Sequence, residues 1–325
     1  MIEKIPTLRI GRDEWLRERL GSIGGSDAGA ILGLNPYRSP YTVWAEKTGR
    51  LPEQEDNEAM RQGRDLEAYV AQRFVEKSGK RVERYNYLLR NTDAPHLHAN
   101  IDRRVIGEKS GLECKTASAL AAKVYRGGQF PESYYAQCVA YLAVTGWERW
   151  YLAVLVLNKS FFIFQMTTLP DDTCPDWCES SVFVPQAEID ALRSFAADFW
   201  ERYVLTDTPP GVDGSASTSH TLSVMYGRAS DSAIELFGRE DLLSEWDMLK
   251  RQGADIQARQ NQIRQVLMEE MGEAGTALCG GWRISWKEQK RASVSPEKLR
   301  KTYPTLDLSR VMACRTFRRF SIQKG

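Results

Sequence analysis

The chain has 325 residues, 42% hydrophobic and 27% charged, which is enough apolar material for a packed core and too much for a disordered chain or a small disulfide-held domain. Its 44 Lys/Arg against 43 Asp/Glu leave a net charge of +1, a balance that neither demands nor forbids a polyanionic partner. No apolar run approaches the roughly 20 residues of a membrane span, and the opening segment is too charged for a signal peptide, so the expectation is a cytoplasmic protein with no membrane partner.

Taken in chain order, residues 12–33 read as a helix, a glycine-rich turn and a second helix capped by Ser26. A loop entering a helix N-terminus offers free N–H groups and the positive dipole end to an anion, and a plain capped turn uses the same residues. Glu58–Ser78 carries Leu66, Val70 and Phe74 at four-residue spacing and stops at Gly79, the pattern of a helix, with Glu67 beside its apolar stripe. Strand-like runs occupy residues 80–106, followed by a turn at 107–111 and a short strand over 112–117. Ser133–Thr145 is helical, residues 150–157 and 161–166 form a hairpin around Asn158-Lys159, and Ile189–Tyr203 is a closing helix. Helices and largely antiparallel strands in this order make an α/β fold, with a central mixed sheet flanked by helices.

Pro, Gly, Ser and Thr dominate residues 206–219, which places a boundary near residue 210. The expected organisation is a domain over 1–210, a linker over 211–238 and a C-terminal extension over 239–325. The extension opens on a long helix, Glu240–Met271, whose Leu242, Trp246, Leu249, Ile256, Ile263 and Leu267 form a loose heptad stripe broken by Gly253, suited to packing or pairing. Strands over 282–289 and 314–322 surround a short helix that Ser295 caps and Pro296 starts, a small α+β end. Charge is uneven here: residues 170–214 hold ten acids against two arginines, residues 279–325 twelve Lys/Arg against three acids. A basic tail suits phosphate, although a solvated face has the same composition.

The chemistry concentrates at Asp102 and Glu113-Cys114-Lys115. On a strand, residues i and i+2 share a face, so Glu113 and Lys115 point together, and the turn at 107–111 folds Asp102 back beside them. Two carboxylates suit a hard divalent cation that keeps waters for phosphate and nucleophile. An ammonium beside that water would orient or deprotonate it and offset charge developing on phosphorus. A surface ion pair is the plain alternative for Glu113 and Lys115. A second triplet, Glu288-Gln289-Lys290, has no aspartate strand and no acidic helix before it, and is expected to be an exposed strand edge. The six cysteines lack paired metal-site spacing, and His96 and His98 alternate along a strand without a third ligand, so both sets are assigned structural roles.

With these residues the chain resembles the YqaJ-like viral recombinases, the group that includes phage lambda exonuclease within the PD-(D/E)XK nuclease superfamily. The resemblance spans about residues 12–205. It rests on Trp15 to Ser26 with Arg19 and Gly21 between, on Gly63-x-x-x-Glu67, Asp102 and Glu113-x-Lys115, and on Tyr135-Ala136-Gln137 before Tyr141 to Thr145. Asn100-Ile101-Asp102 lacks the proline of the superfamily's name, which is a backbone feature and no ligand. The resemblance implies a restriction-endonuclease-like core. It also implies Mg²⁺, with Mn²⁺ as a substitute, held as a pair of ions by Asp102, Glu113, the Cys114 backbone carbonyl and Glu67. Lys115 would serve the attacking water, Gln137 would lie beside it, and Arg19 with Ser26 would hold a 5′-terminal phosphate. The implied activity is 5′-to-3′ exonuclease digestion of double-stranded DNA ends, leaving 3′ overhangs for strand-annealing recombination, by a homotrimeric ring whose partner is a single-strand annealing protein, in a bacterial cytoplasm. A nuclease of other polarity, an endonuclease, and a DNA-binding recombination accessory protein that does not cut are the alternatives. Residues 211–325 inherit no role.

Overall fold

The computed structural model describes residues 1–53, 56–290, 295–303 and 322. The chain divides into two compact units, Met1–Gly227 and Arg228–Gly325.

The first unit opens with strand β1 (Ile2–Pro6), helix α1 (Arg12–Leu20), the two-residue strand β2 (Ile23–Gly24) and helix α2 (Gly25–Ile31). The cap of α2 differs from the expected one. Gly24 is the N-cap and its N–H donates to the Asp27 carboxylate at 2.8 Å, while Ser26 sits inside the first turn with its side chain exposed. An acid at the third helical position answers a free N–H and suits the positive dipole end, so Asp27 performs the task expected of Ser26. Helix α3 (Pro40–Lys47) follows, then α4 (Glu58–Ser78). Asn57 caps α4 by accepting from the Met60 N–H, and Gly79 ends it at φ +72°, a left-handed turn that glycine makes without strain.

The strand runs after α4 are each cut in two. Strands β3 (Val82–Arg84) and β4 (Tyr87–Asn91) come from the first run, β5 (Ala94–Asn100) and β6 (Arg103–Val105) from the second. The first unit then continues through β7 (Ser110–Ala117), α5 (Glu132–Thr145), β8 (Arg149–Val156), β9 (Ser160–Thr167), β10 (Ser180–Phe183), α6 (Gln186–Phe199) and α7 (Ala216–Met225). One sheet has the order β1-β4-β5-β2, the other β10-β9-β8-β7-β6-β3. The second is mixed, with parallel pairs β7–β8 and β9–β10 among antiparallel ones. The chain therefore passes between the sheets at Tyr85-Asn86 and again at Ile101-Asp102; the six-stranded sheet is the central mixed sheet expected from the pattern, and the four-stranded sheet accompanies it within a mixed α/β fold.

Helix α5 is buried along Ala136–Thr145, the mark of a helix enclosed on all sides. It touches β4, β5, β8, α2 and α6. Against α2 the approach is set by glycine: a Cβ on Gly25 would fall 2.4 Å from the Tyr141 ring, and one on Gly29 2.9 Å from Ser133 Cα. Helix α4 packs Val70, Ala71 and Phe74 onto Leu112, Tyr151, Ala153 and Ile163 of the six-stranded sheet. Each large side chain buried there contributes roughly 1.5–3 kcal/mol, which fixes α4 and the Glu67 it carries.

The first unit extends past the boundary expected near residue 210. Within the stretch expected as linker, α7 docks on α3 through hydroxyls: Thr42 Oγ1 lies 2.8 Å from both Ser217 Oγ and Thr221 Oγ1, and Thr218 donates to Ser39 Oγ at 2.8 Å. Thr218 and Thr221 are buried. Composition cannot separate hydroxyls that bond inward from hydroxyls that meet water.

In the second unit, helix α8 (Glu240–Met271) precedes the hairpin β11 (Thr276–Cys279) and β12 (Trp282–Ser285) and the short helix α9 (Pro296–Thr302). Ser295 caps α9, accepting from the Lys298 N–H at 3.3 Å. The strand expected over 282–289 stops at Ser285, and the strand expected over 314–322 lies outside the described residues. Among the described residues no helix is long and apolar enough to cross a membrane.

Candidate active site

Strand β7 runs inside the six-stranded sheet between β6 and β8. From there Glu113 and Lys115 project together, with Lys115 Nζ 2.6 Å from Glu113 Oε1. Gln137, on the buried face of α5, donates to the same oxygen at 2.8 Å. Glu113 is 4% exposed, and its Oε2 is buried with no hydrogen-bond partner. Asp102, at the second crossing between sheets, accepts the Cys114 N–H on Oδ2 at 2.8 Å. The turn thus folds Asp102 beside β7 as expected. Tyr134 adds a ring face 5.1 Å from Lys115 Nζ.

The electrostatics are unbalanced. Burial first, and the Glu113 charge second, push the Asp102 carboxyl well above the usual carboxylate range, and Glu67 acts in the same direction. Burial works to lower the Lys115 ammonium, but the Glu113 carboxylate and its hydrogen bond, helped by Asp102, outweigh it and hold Lys115 above its ordinary value. Glu67 stands at the edge of this cluster, ion-paired with Arg103, whose guanidinium also donates to the Asp102 carbonyl at 2.7 Å. As the side chains lie, no group of three His, Cys, Asp or Glu among the described residues is gathered tightly enough to hold a metal. The donor chemistry nevertheless fits a hard divalent cation: two carboxylates repel each other in a buried setting, and one carboxylate oxygen has no partner at all.

Of the two residues expected to hold a terminal phosphate, Arg19 lies on α1 and Ser26 in the first turn of α2, the helix that packs on α5. Arg19 stacks its guanidinium on Trp15 at 4.5 Å, and its carbonyl accepts from Lys47 Nζ at 2.8 Å. Ser26 is exposed in the first turn of α2. Neither side chain is bonded to the carboxylate cluster among the described residues. The connection is indirect: Gly25 abuts the Tyr141 ring, Tyr141 hydroxyl accepts from Gln137 Nε2 at 2.8 Å, and that nitrogen also serves Glu113.

Sequence reasoning missed the ion cluster that braces this segment. Asp27 is 3% exposed and pairs with Arg38 at 2.5 Å and Lys47 at 2.7 Å, while Arg38 also pairs with Glu46. Burial pulls the Asp27 carboxyl upward, but Arg38 and Lys47 overcome it and hold the group well below its ordinary value. The one available signal was an acid three residues after a helix-starting glycine. His98 is buried and shares a 2.9 Å hydrogen bond with Ser22, and Cys114, Cys138, Cys174, Cys178 and Cys279 are free.

The fold and the cluster together define a mixed α/β protein with an Asp–Glu–Lys site at the point where its chain changes sheets. A family model for the YqaJ-like viral recombinase domain matches residues 14–148. The chain is 33% identical over 320 residues to a Bacillus subtilis (strain 168) protein described as "Uncharacterized protein YqaJ", a match that covers 97% of this chain and 95% of the relative. It belongs to the YqaJ-like viral recombinase family. Among solved structures it is similar to LHK-Exo in complex with dAMP, with a TM-score of 0.48 at 18% identity over 60% of this chain and 94% of that one. It is similar also to an alkaline exonuclease (LHK-Exo) from Laribacter hongkongensis, with a TM-score of 0.46 at 16% identity over the same shares.

Proposed function

We propose that this chain is a divalent-metal-dependent deoxyribonuclease that digests one strand of duplex DNA from its 5′ end and leaves a 3′ overhang for recombination by strand annealing. The observation that carries the reading is the Asp102–Glu113–Lys115 cluster, built around a buried Glu113 that has one unpartnered oxygen. Asp102, Glu113 and the Cys114 carbonyl would hold Mg²⁺, with Mn²⁺ as a substitute. Glu67, released from Arg103, would supply a further carboxylate for a second ion. When bound, such an ion polarises a phosphoryl oxygen and lowers the pKa of a coordinated water.

The chain's own groups do the remaining work. Lys115, kept protonated by Glu113, orients the attacking water and offsets negative charge as it grows on phosphorus. Gln137 fixes the Glu113 carboxylate from α5, so its free oxygen keeps one direction. Arg19 and Ser26, beside the N-terminus of α2, would receive the 5′-phosphate and set direction. By resemblance, the working form is a homotrimer on duplex DNA ends, with a single-strand annealing protein as partner.

The deciding experiment incubates purified protein with 5′-phosphorylated linear duplex, with Mg²⁺ or with chelator. Nucleotide release only with metal, abolished in Asp102→Ala, is the expected result; release that survives chelation or that substitution would overturn the reading. Arg19→Ala tests polarity: the advantage of 5′-phosphorylated ends should vanish, and unchanged preference would remove the phosphate role while leaving hydrolysis intact.

A further inference from the structure

A groove of about 670 Å³ lies between β1 with its following turn and the first crossing between sheets. Lys4, Arg9, Arg84, Tyr85, Tyr87 and Arg104 line it, and Glu83 is the only acid among the described residues that do so. Glu83 is committed to Arg104. Lys4, Arg9 and Arg84 are exposed and make no ion pair among the described residues. Between these cations stand two rings: Tyr85 and Tyr87 lie with centroids 5.1 Å apart, and Trp147 braces Tyr85 edge-on at 6.0 Å. Lys4 Nζ rests 5.5 Å from the first ring and 6.0 Å from the second.

Three unneutralised cations would attract any polyanion, but the paired rings narrow the choice. A duplex keeps its base faces stacked inside and leaves aromatic rings nothing to stack on, whereas a single strand presents phosphates and base faces in alternation. Lys4 can move from ring to phosphate and free a tyrosine face for a base. The groove's position also suits a strand. Neighbouring residues of β6 project to opposite faces, so Arg103 turns to Glu67 and the Asp102 carbonyl while Arg104 turns to Glu83 and Tyr85. The groove therefore backs onto the carboxylate cluster across β6, next to β3, the last strand of its sheet.

We propose that this groove binds single-stranded DNA, taking the strand left unpaired beside the site, with bases on Tyr85 and Tyr87 and phosphates on Lys4, Arg9 and Arg84. The origin of that strand rests on the nuclease reading; the binding chemistry does not. The test measures fluorescence anisotropy of a labelled oligo-dT and of a hairpin duplex with the full chain, in chelator, over a range of salt. Tyr87→Ala should weaken oligo-dT binding about tenfold and Tyr87→Phe should retain it, because the ring and not its hydroxyl stacks. Arg84→Ala should lower the salt slope for the single strand by about 0.7, the share of one phosphate contact. Duplex affinity should stay within about twofold in each variant. Unchanged oligo-dT binding and slope in both Tyr87→Ala and Arg84→Ala, or equal losses for single strand and duplex, would overturn the proposal. Intact metal-dependent hydrolysis alongside either result removes the groove alone. Absent hydrolysis alongside ring-dependent binding removes the nuclease reading alone.

Discussion

Glu113-Cys114-Lys115 and Glu288-Gln289-Lys290 spell the same acid-x-lysine triplet, one in each unit of the chain. The first lies on an interior strand, where its glutamate is 4% exposed and bound to both Lys115 and Gln137. The second follows β12 outside any strand, and both of its charged residues face solvent. An exposed pair of this kind is worth about 0–1 kcal/mol, so its presence says little. A buried one is costly to desolvate and is a weak device for stability. A chain that gathers half-buried Asp102 and Lys115 beside a buried Glu113, with one of its carboxylate oxygens unpartnered, has an arrangement that stability alone does not account for.

The largest effect expected from this contrast is on hydrolysis. Glu113→Gln should lower metal-dependent nucleotide release by about a thousandfold or more, since it removes several kcal/mol of transition-state stabilisation, whereas Glu288→Gln should leave it within about twofold. Equal behaviour of the two variants would erase the distinction between the triplets. Next in size is the amine. Lys115→Met keeps the stem and removes the charge, and should cost about a hundredfold or more in turnover with the duplex still bound, while Lys290→Met changes nothing measurable. A loss confined to binding would make Lys115 a phosphate contact instead. Smaller again is Gln137→Leu, which leaves Lys115 on Glu113 but frees the carboxylate to rotate. A weakening of apparent Mg²⁺ affinity by about ten- to a hundredfold, read by titrating activity against metal, is expected from loss of a ligand-orienting bond.

The first triplet was legible because strand geometry is so regular: alternation puts residues 113 and 115 on one face wherever the strand lies, and a short turn must return Asp102 to its neighbour. The α4 stripe and the hairpin at Asn158, which sits at φ +59°, were legible for the same reason. The crossings at Tyr85-Asn86 and Ile101-Asp102 were not. A strand that bends into a second sheet keeps its alternation, and only long-range pairing decides which partner each half takes. The α2 cap was misassigned because Ser26 and Asp27 are both good capping residues one position apart. The choice between them is made by Arg38 and Lys47, which neutralise the buried carboxylate from α3 and the loop before it.

The smallest effect asks whether burial separates charges without any catalysis. Burial lowers the His98 imidazole to about 3, with Lys47, Arg19 and Arg90 assisting and Asp27 opposing. An unfolded histidine takes a proton near pH 6.5, so between about 6.5 and 3 the unfolded chain holds one proton more at this position. The contribution of His98 is fully present above pH 6.5 and is lost as pH falls, by about 1.4 kcal/mol per unit. Asp102 has the opposite sign: its raised carboxyl favours the folded state at low pH and loses that advantage as pH rises. The wild-type curve alone therefore mixes two slopes. In chelator, urea unfolding of the wild type and of His98→Gln at pH 7.5 and 5.0 isolates one of them. The stability gap between them should narrow by about 2 kcal/mol on acidification. A gap that stays constant would mean that His98 takes its proton in the folded chain as readily as in the unfolded one, and that burial in the first unit does not by itself set the charge of what it encloses.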